Sequence, residues 1–409
     1  MAIVKPFKGV RPPADKAHLV ASRSYVSYTK SQLRSKLHEN PFSFLHIIHP
    51  DLGSVKLHKI NSTEERFRLV KKKYGEFLHE EYLMREKSNA FYLYRQIKNG
   101  HPFTGIIAAV AVEDYLNGKI KIHEQTLSKR QDTFTQYLDI TGINAEPVLL
   151  MASRSNALER IYAKYLDTKP EYDFTTTNRD RHQLWIVDDP KDVFEISNIY
   201  SSIDALYIAD GHHRSASSAL LCQKRNVAFN GNGSEPWNYF LAYILDENTV
   251  RIFEFNRLVK DLNGLTVKEF LHRLEEHFYI NEAPPLYKPV QKGEFSLYLD
   301  KLWYTLTVKV HTDALDAQVL SDLVLGPILN IKDLRKDKRI AFLEGPKGME
   351  GIKYAVDKNQ FQAGFGLFAV SIEELKHVAD VNGTMPPKST WVEPKLRSGL
   401  VVYELEDHE

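Results

Sequence analysis

The stretch Leu206-Tyr207-Ile208-Ala209-Asp210-Gly211-His212-His213-Arg214-Ser215 is typical of a buried strand, a tight turn and the start of a helix. The first backbone N–H groups of a helix have no partner within it, and the helix dipole places partial positive charge there. Two histidines and an arginine in that turn predict an anion site, most naturally for phosphate. We expect Gly211, His213, Arg214 and Ser215 to bind the phosphate.

A simpler interpretation explains part of this stretch. Asp210 could cap the helix and Gly211 could allow the turn. That interpretation leaves His212, His213 and Arg214 unexplained, because cations at a helix N-terminus oppose the dipole. An anion that compensates for them accounts for the whole stretch.

The composition excludes several classes of protein. In 409 residues, 43% are hydrophobic and 26% charged, and 54 Lys and Arg balance 53 Asp and Glu, so a nucleic-acid partner is not expected. The single cysteine, Cys222, excludes an intramolecular disulfide and a cysteine-rich zinc site. No apolar run is long enough for a signal peptide or a membrane span, so we expect a cytoplasmic protein without a membrane partner. The oligomeric state is left open.

The pattern of elements predicts a mixed α+β fold in which hairpins outnumber βαβ crossovers. We expect an N-terminal α/β region over residues 1–145, a core with the phosphate motif over 146–260, and a C-terminal α+β domain over 261–409. Two further expectations are a buried strand at Phe42–Ile48 and a hairpin formed by Phe240–Leu245 and Val250–Phe255.

Several motifs in order along the chain resemble those of the bacterial and archaeal family called domain of unknown function 1015. Members have Pro-Tyr-Asp or Pro-Tyr-Asn where this chain reads Ser24-Tyr25-Val26. The motifs that carry the resemblance are Asn40–His46, Glu113-Asp114-Tyr115, His123-Glu124-Gln125-Thr126, Leu184–Val187, Tyr207–Arg214, Phe255-Asn256-Arg257, Met385–Trp391 and Glu393-Pro394-Lys395.

The segment Asp210–Arg214 also looks like the signature of the ParB/sulfiredoxin-like fold, which includes kinases that phosphorylate free L-serine. That resemblance implies a ParB/sulfiredoxin-like core, ATP or ADP as donor with Mg²⁺, and a serine-like small molecule as acceptor. Two other functions stay open: a non-catalytic nucleotide- or DNA-binding regulator, and a phosphate-ester hydrolase.

Phosphoryl transfer needs cations around the phosphoryl group and a base that orients the acceptor hydroxyl. Glu124 and Asp210 are the candidate bases, with His212 as a further catalytic residue and His123 and Thr126 as substrate-binding residues. Asp210 is also the candidate ligand of magnesium, which takes one or two carboxylates plus phosphate oxygens. Glu124 could instead be a capping group of the helix that follows.

The segment Met385-Pro386-Pro387-Lys388-Ser389-Thr390 is a candidate second phosphate-binding loop. A lysine beside two hydroxyls, fixed by prolines, could contact a nucleotide or a substrate carboxylate. The alternative is a rigid clasp with no ligand. Farther along, Glu393 and Lys395 could pair with each other.

Overall fold

The computed structural model describes residues 2–24, 27–52, 62–126 and 128–406. Tyr25 and Val26, where the chain departs from the family pattern, lie outside the described residues. No described helix is long and apolar enough to cross a membrane.

Helices occur throughout the described chain. They are α1 Ala17–Val20, α2 Lys30–Glu39, α3 Leu45–Ile48, α4 Thr63–His79, α5 Val112–Leu116, α6 Ser128–Thr141, α7 Asn156–Leu166, α8 Pro190–Ser201, α9 His212–Phe229, α10 Val267–Leu274, α11 Asp316–Leu320, α12 Gly348–Asp357 and α13 Ile372–Asp380.

The strands alternate irregularly with these helices. They are β1 Val4–Lys5, β2 Val10–Arg11, β3 Ser22–Arg23, β4 Met84–Arg85, β5 Phe91–Lys98, β6 His101–Ala111, β7 Ile120–Lys121, β8 Ile143–Asn144, β9 Val148–Ala152, β10 Tyr172–Thr175, β11 Arg181–Val187, β12 Leu206–Asp210, β13 Tyr239–Asp246, β14 Arg251–Val259, β15 Phe278–Glu282, β16 Glu294–Leu299, β17 Leu302–Val308, β18 Ile340–Glu344, β19 Ala363–Gly366, β20 Thr390–Glu393, β21 Arg397–Ser398 and β22 Tyr403–Glu404.

The chain divides into two compact units. The first contains Met1–Val250 and Pro394–Glu409, and the second contains Arg251–Glu393. This division differs from the three regions expected from the sequence. Strands from both sides of residue 145 pair in one sheet, as β6 does with β13, so that predicted boundary does not separate units.

The first unit is built on a mixed sheet, which confirms the expected α+β class. Its described strands run in the order β10-β11-β5-β6-β13-β9-β12-β7, and β1 pairs with β6. The pairs β12–β7 and β13–β9 are parallel, whereas β12 and β9 are antiparallel. A core of buried aliphatic side chains from the central strands packs against α7 and α8. Asp210 therefore stands at the end of a strand held on both sides.

The second unit has its own sheet and core. The described strands run in the order β15-β17-β16-β19-β14-β18, and β20 pairs with β14. Side chains of β16, β17 and β19 pack with α10 and α11 to form the larger of its buried clusters.

Two local expectations are wrong. The apolar run Phe42–Ile48 ends in helix α3, because the Ser43 hydroxyl accepts the Leu45 N–H and begins a turn. The hairpin predicted from Phe240–Leu245 and Val250–Phe255 does not form. Strand β13 pairs with β6 and β9, and β14 pairs with β18, β19 and β20.

Candidate functional site

Strand β12 ends in an irregularity that positions Asp210. Ile208 pairs with Leu150 and Asp210 pairs with Leu149, so the register of β12 and β9 shifts between these two residues. An extra residue in one strand bends it and redirects the side chains that follow. The last residue of this buried strand is consequently half-exposed at the start of α9.

Gly211 makes the connection from strand to helix. Its φ of 107° and ψ of 23° lie in the left-handed region, and it is the N-cap of an 18-residue helix with no side-chain cap. A Cβ atom at Gly211 would lie 3.0 Å from Arg214 Nε. Gly211 is thus needed for the turn, as the simpler interpretation held, but Asp210 is not the cap.

The Asp210 carboxylate faces two cations. Its Oδ2 lies 3.3 Å from Lys395 Nζ and 3.5 Å from Arg214 Nη2. Burial raises the pKa of Asp210, but Lys395 and Arg214 outweigh it and bring the pKa below its ordinary value. Asp210 is therefore ionised at neutral pH, and its lowered pKa makes it a weaker base, which suits a charge-holding role better.

Lys395 is a member of the site that the sequence did not predict. The sequence offered Glu393, two positions away, as one partner for Lys395, and the structure places the Lys395 ammonium 3.3 Å from the Asp210 carboxylate. The only sequence signal for it was its position in the Glu393-Pro394-Lys395 motif.

Arg214 is fixed by groups on three sides. Its Nη1 donates to the Pro147 carbonyl at 2.6 Å and lies 3.8 Å from Glu146 Oε2. Glu146 in turn accepts a hydrogen bond from the Ser398 hydroxyl at 2.7 Å. With Asp210 on the other side, the guanidinium is held at the helix start. Arg214, Glu146 and Ser398 also line a cavity of about 580 Å³.

His212 and His123 form a buried pair beside the helix start. Their ring centroids lie 4.4 Å apart at 79°, and the His123 backbone N–H donates to His212 Nε2 at 3.4 Å. Burial lowers the pKa of His123 to about 4, and burial followed by the charge of His123 lowers the pKa of His212 well below its usual range. Both rings are neutral at pH 7, so His212 is not the cation that its position suggested.

Glu124 lies on the other side of His212. Its Oε2 is 4.0 Å from His212 Nδ1, and about half of the Glu124 side chain is exposed. Because Nε2 accepts from the backbone, the proton of the neutral imidazole is on Nδ1 and points toward this carboxylate. Helix α6 begins at Ser128, four positions later, so Glu124 is not in its first turn.

The remaining predicted residues around α9 are largely used within the unit. The Thr126 hydroxyl donates to Gln131, 3.3 Å away, and Gln131 donates to the Ala216 carbonyl of α9. Ser215 is fully buried, and its hydroxyl donates to the His212 carbonyl at 3.1 Å. His213 is half-buried, and its carbonyl accepts from the Ser217 hydroxyl.

Lys388, Ser389 and Thr390 belong to the second unit. Lys388 has a left-handed φ of 58°, and its carbonyl accepts from Arg257 Nη1 at 2.9 Å. The Ser389 hydroxyl donates to the Pro386 carbonyl at 2.8 Å, and Thr390 begins β20. The fully buried Arg257 side chain donates to backbone carbonyls of this turn. A turn fixed in this way agrees with the interpretation of the segment as a rigid clasp.

Asp210 is the candidate magnesium ligand at the helix start. No group of three His, Cys, Asp or Glu side chains that could hold a metal occurs among the described residues. Asp210 is ionised and partly exposed, and magnesium in phosphate sites commonly takes one or two carboxylates plus phosphate and water oxygens. The Asp210 carboxylate therefore fits a magnesium ion whose other ligands are phosphate and water oxygens.

Comparison with known proteins adds a family and a few distant structures. The model of a family described as a protein of unknown function (DUF1015) matches residues 4–324. No curated protein matches the sequence. A free serine kinase in complex with AMP is similar at 17% identity and a TM-score of 0.39, over 73% of this chain and 91% of that one.

Two other solved structures are similar to a comparable extent. A conserved hypothetical protein from Pyrococcus furiosus is 17% identical, with a TM-score of 0.37, over 76% of this chain and 97% of that one. C-terminally truncated SbnI from Staphylococcus aureus is 13% identical, with a TM-score of 0.40, over 72% of this chain and 85% of that one.

Proposed function

The chain belongs to the DUF1015 family, and from that premise we propose that it transfers a phosphoryl group from ATP or ADP to the hydroxyl of free L-serine or a similar small molecule. The core that carries the motif would then be ParB/sulfiredoxin-like. What supports the proposal is the chain's own geometry at the start of α9.

The observation that carries the proposal is the group of charges around the Gly211 turn. Arg214 and Lys395 face one carboxylate, Asp210, beside the N-terminus of a long helix that has no side-chain cap. Backbone N–H groups, a guanidinium and an ammonium are the donors that bind phosphate in proteins. They are also the groups that stabilise a phosphoryl group in transfer.

In this proposal Arg214 and Lys395 bind the donor phosphates. Gly211, the N-cap, and His213 and Ser215 in the first turn of α9 would surround them. Asp210 orients these cations and would be the carboxylate that holds Mg²⁺ when it is bound with the nucleotide. The metal would supply charge neutralisation between the phosphate oxygens.

Glu124 is the proposed base. It is more exposed than Asp210 and faces a neutral His212 at 4.0 Å. The acceptor hydroxyl would pass its proton to a Glu124 oxygen while its own oxygen attacks the terminal phosphorus of the donor. The bond from that phosphorus to the bridging oxygen would break, and ADP would leave from ATP or AMP from ADP. His212 would orient Glu124 through Nδ1–H, and His123 and Thr126 would lie along the acceptor. Lys388, Ser389 and Thr390 stay predicted phosphate contacts, which a Lys388→Ala variant tests separately.

The test is phosphorus NMR of the purified protein with Mg²⁺, ATP or ADP in turn, and L-serine. A phosphomonoester signal that requires serine is expected, and it should be lost in Glu124→Gln without loss of nucleotide binding. Free phosphate without serine dependence would indicate a hydrolase. Nucleotide binding without turnover would indicate a regulator, and unchanged nucleotide binding in Arg214→Ala would contradict the assignment of the phosphate site.

A further inference from the structure

The cavity beside Arg214 has walls that are mostly apolar. Its volume of about 580 Å³ lies within the range of small-molecule sites, and all the residues that line it belong to the first unit. Helices α3, α4, α6 and α9 and strand β8 contribute to the lining. The apolar part of the wall is formed chiefly by Phe44, Phe67, Phe134, Tyr137, Leu138 and Ile143.

The charges on this wall are mainly positive. Among the described lining residues, the lysine and arginine side chains are Arg66, Lys129, Arg130 and Arg214, and the one carboxylate is Glu146. Lys129 and Arg130 are exposed, which places them where the cavity meets solvent. Arg130 also lies over the Phe134 ring, with its guanidinium carbon 5.7 Å from the ring centroid.

Two of these charges are compensated and two are not. Arg66 lies 3.7 Å from Asp51, and Arg214 faces Asp210 and Glu146. Within the described residues, Lys129 and Arg130 have no carboxylate within ion-pair distance. His49 adds no further cation, because burial and then Arg66 lower its pKa. The entrance of an apolar cavity thus carries unneutralised positive charge.

The apolar walls and the cations at the entrance together indicate the class of ligand that fits this cavity. Apolar walls offer water few hydrogen-bond partners and favour a ligand with an apolar body. The cations at the entrance favour an anionic group at one end of that body. Free serine has a single CH₂ group between its polar groups, so it would leave most of the wall without a contact.

We infer that this cavity binds an organic anion with a bulky apolar body, its acidic group at Lys129 and Arg130 and its apolar part among Phe67, Phe134 and Tyr137. The inference does not depend on phosphoryl transfer, because it concerns binding to the first unit with no nucleotide present.

The experiment compares two fluorescent probes that differ by one sulfonate group. Anilinonaphthalene sulfonate has the same rings as N-phenyl-1-naphthylamine but carries a sulfonate. We expect the sulfonate to saturate one site per chain and to bind roughly tenfold more tightly than the neutral amine, as for an ionic hydrogen-bond partner. Equal affinity for the two probes would overturn the assignment of an anion.

Variants locate the binding. Thr133→Trp places an indole on the cavity lining from an exposed position of α6 and should weaken both probes at least tenfold. Gln136→Trp, at an exposed position of the same helix that does not line the cavity, is the control and should bind both normally. Equal behaviour of these two variants would overturn the location.

A charge variant tests the entrance independently of packing. Arg130→Gln should weaken the sulfonate roughly threefold, as expected for an exposed charge, and leave the neutral amine unchanged. Arg160→Gln, on an exposed face of α7, is its control. An unchanged sulfonate affinity in Arg130→Gln would contradict the inferred position of the acidic group.

Discussion

Lys395 Nζ lies 3.3 Å from Asp210 Oδ2, although 185 positions separate the two residues in the chain. The pair joins the end of β12 to the segment that follows the second unit. Arg214 shares the same carboxylate oxygen at 3.5 Å, so a single acid holds both cations at the helix start.

Lys395→Met should weaken nucleotide binding roughly tenfold or more, because a hydrogen bond to a charged phosphate contributes about 1.5–3 kcal/mol. The free energy of unfolding should change little, since the Lys395–Asp210 pair is partly exposed. The control is Lys224→Met. Lys224 lies on the distal part of α9, and its replacement removes an ion pair with Asp139 of α6. Calorimetric titration with ADP measures the difference, and equal affinities of the two variants would contradict the role of Lys395.

Gly211→Ala should destabilise the protein by about 1 kcal/mol or more, because an L-residue is strained at a φ of 107°. It should also displace Arg214, whose Nε would lie 3.0 Å from the new Cβ. Gly118→Ala is the matched control, since φ is 77° there but no atom lies within 4 Å of the added Cβ. Both variants should lose stability in urea, and only Gly211→Ala should lose affinity for ADP.

The buried histidines predict that acid weakens the first unit. The pKa of His123 is lowered to about 4 in the folded protein, against about 6.5 in an unfolded chain. The unfolded chain therefore binds more protons between these values. Stability is complete above pH 6.5 and falls as the pH drops toward 4, by roughly 3 kcal/mol for this group.

The check is urea unfolding at pH 7, 5.5 and 4.5 for the wild type and for His123→Gln. Between pH 7 and 4.5, the urea concentration at the midpoint of unfolding should fall less in the variant than in the wild type, whatever the stability of the variant at pH 7. His79→Gln, at an exposed position, should follow the wild-type profile. A His123→Gln profile parallel to that of the wild type would exclude His123 as the source.

In the second unit, Arg257→Gln should cost about 3 kcal/mol or more. Arg257 is fully buried and donates to the carbonyls of Phe255 and Lys388 at 2.7 and 2.9 Å. Its removal leaves buried acceptors without a partner and releases the Lys388 turn. Limited proteolysis should then cut within residues 385–390 faster than in the wild type, and an unchanged cleavage rate would mean that other contacts hold the turn.

The strand, turn and helix around Gly211 could be predicted because each part depends on neighbouring residues. An apolar run ends at Asp210, and only a glycine adopts the left-handed turn readily. The prediction of a strand at Phe42–Ile48 is wrong because a short apolar run shows no hydrophobic periodicity by which a strand could be told from a helix. Hydrogen bonds of the Ser43 and Asn40 side chains to the backbone decided the outcome.

The partners of the site could not be predicted in the same way. Lys395 reaches Asp210 and Glu146 reaches Arg214 from distant parts of the chain, and Ser398 binds Glu146 in turn. The neutral state of His212 likewise depends on burial by tertiary packing. The false hairpin after β13 has the same origin, because two adjacent strands with a turn between them can each find partners in different sheets.

The division of the chain into units has a consequence for synthesis on the ribosome. Residues 251–393 are translated before Lys395 and Ser398, which belong to the first unit. At about 5–20 residues per second, Asp210 and Arg214 wait on the order of ten seconds or more for these partners. The nascent first unit therefore lacks Lys395 and Ser398 while residues 251–393 are translated, so the segment that follows the second unit completes the site of the unit that precedes it.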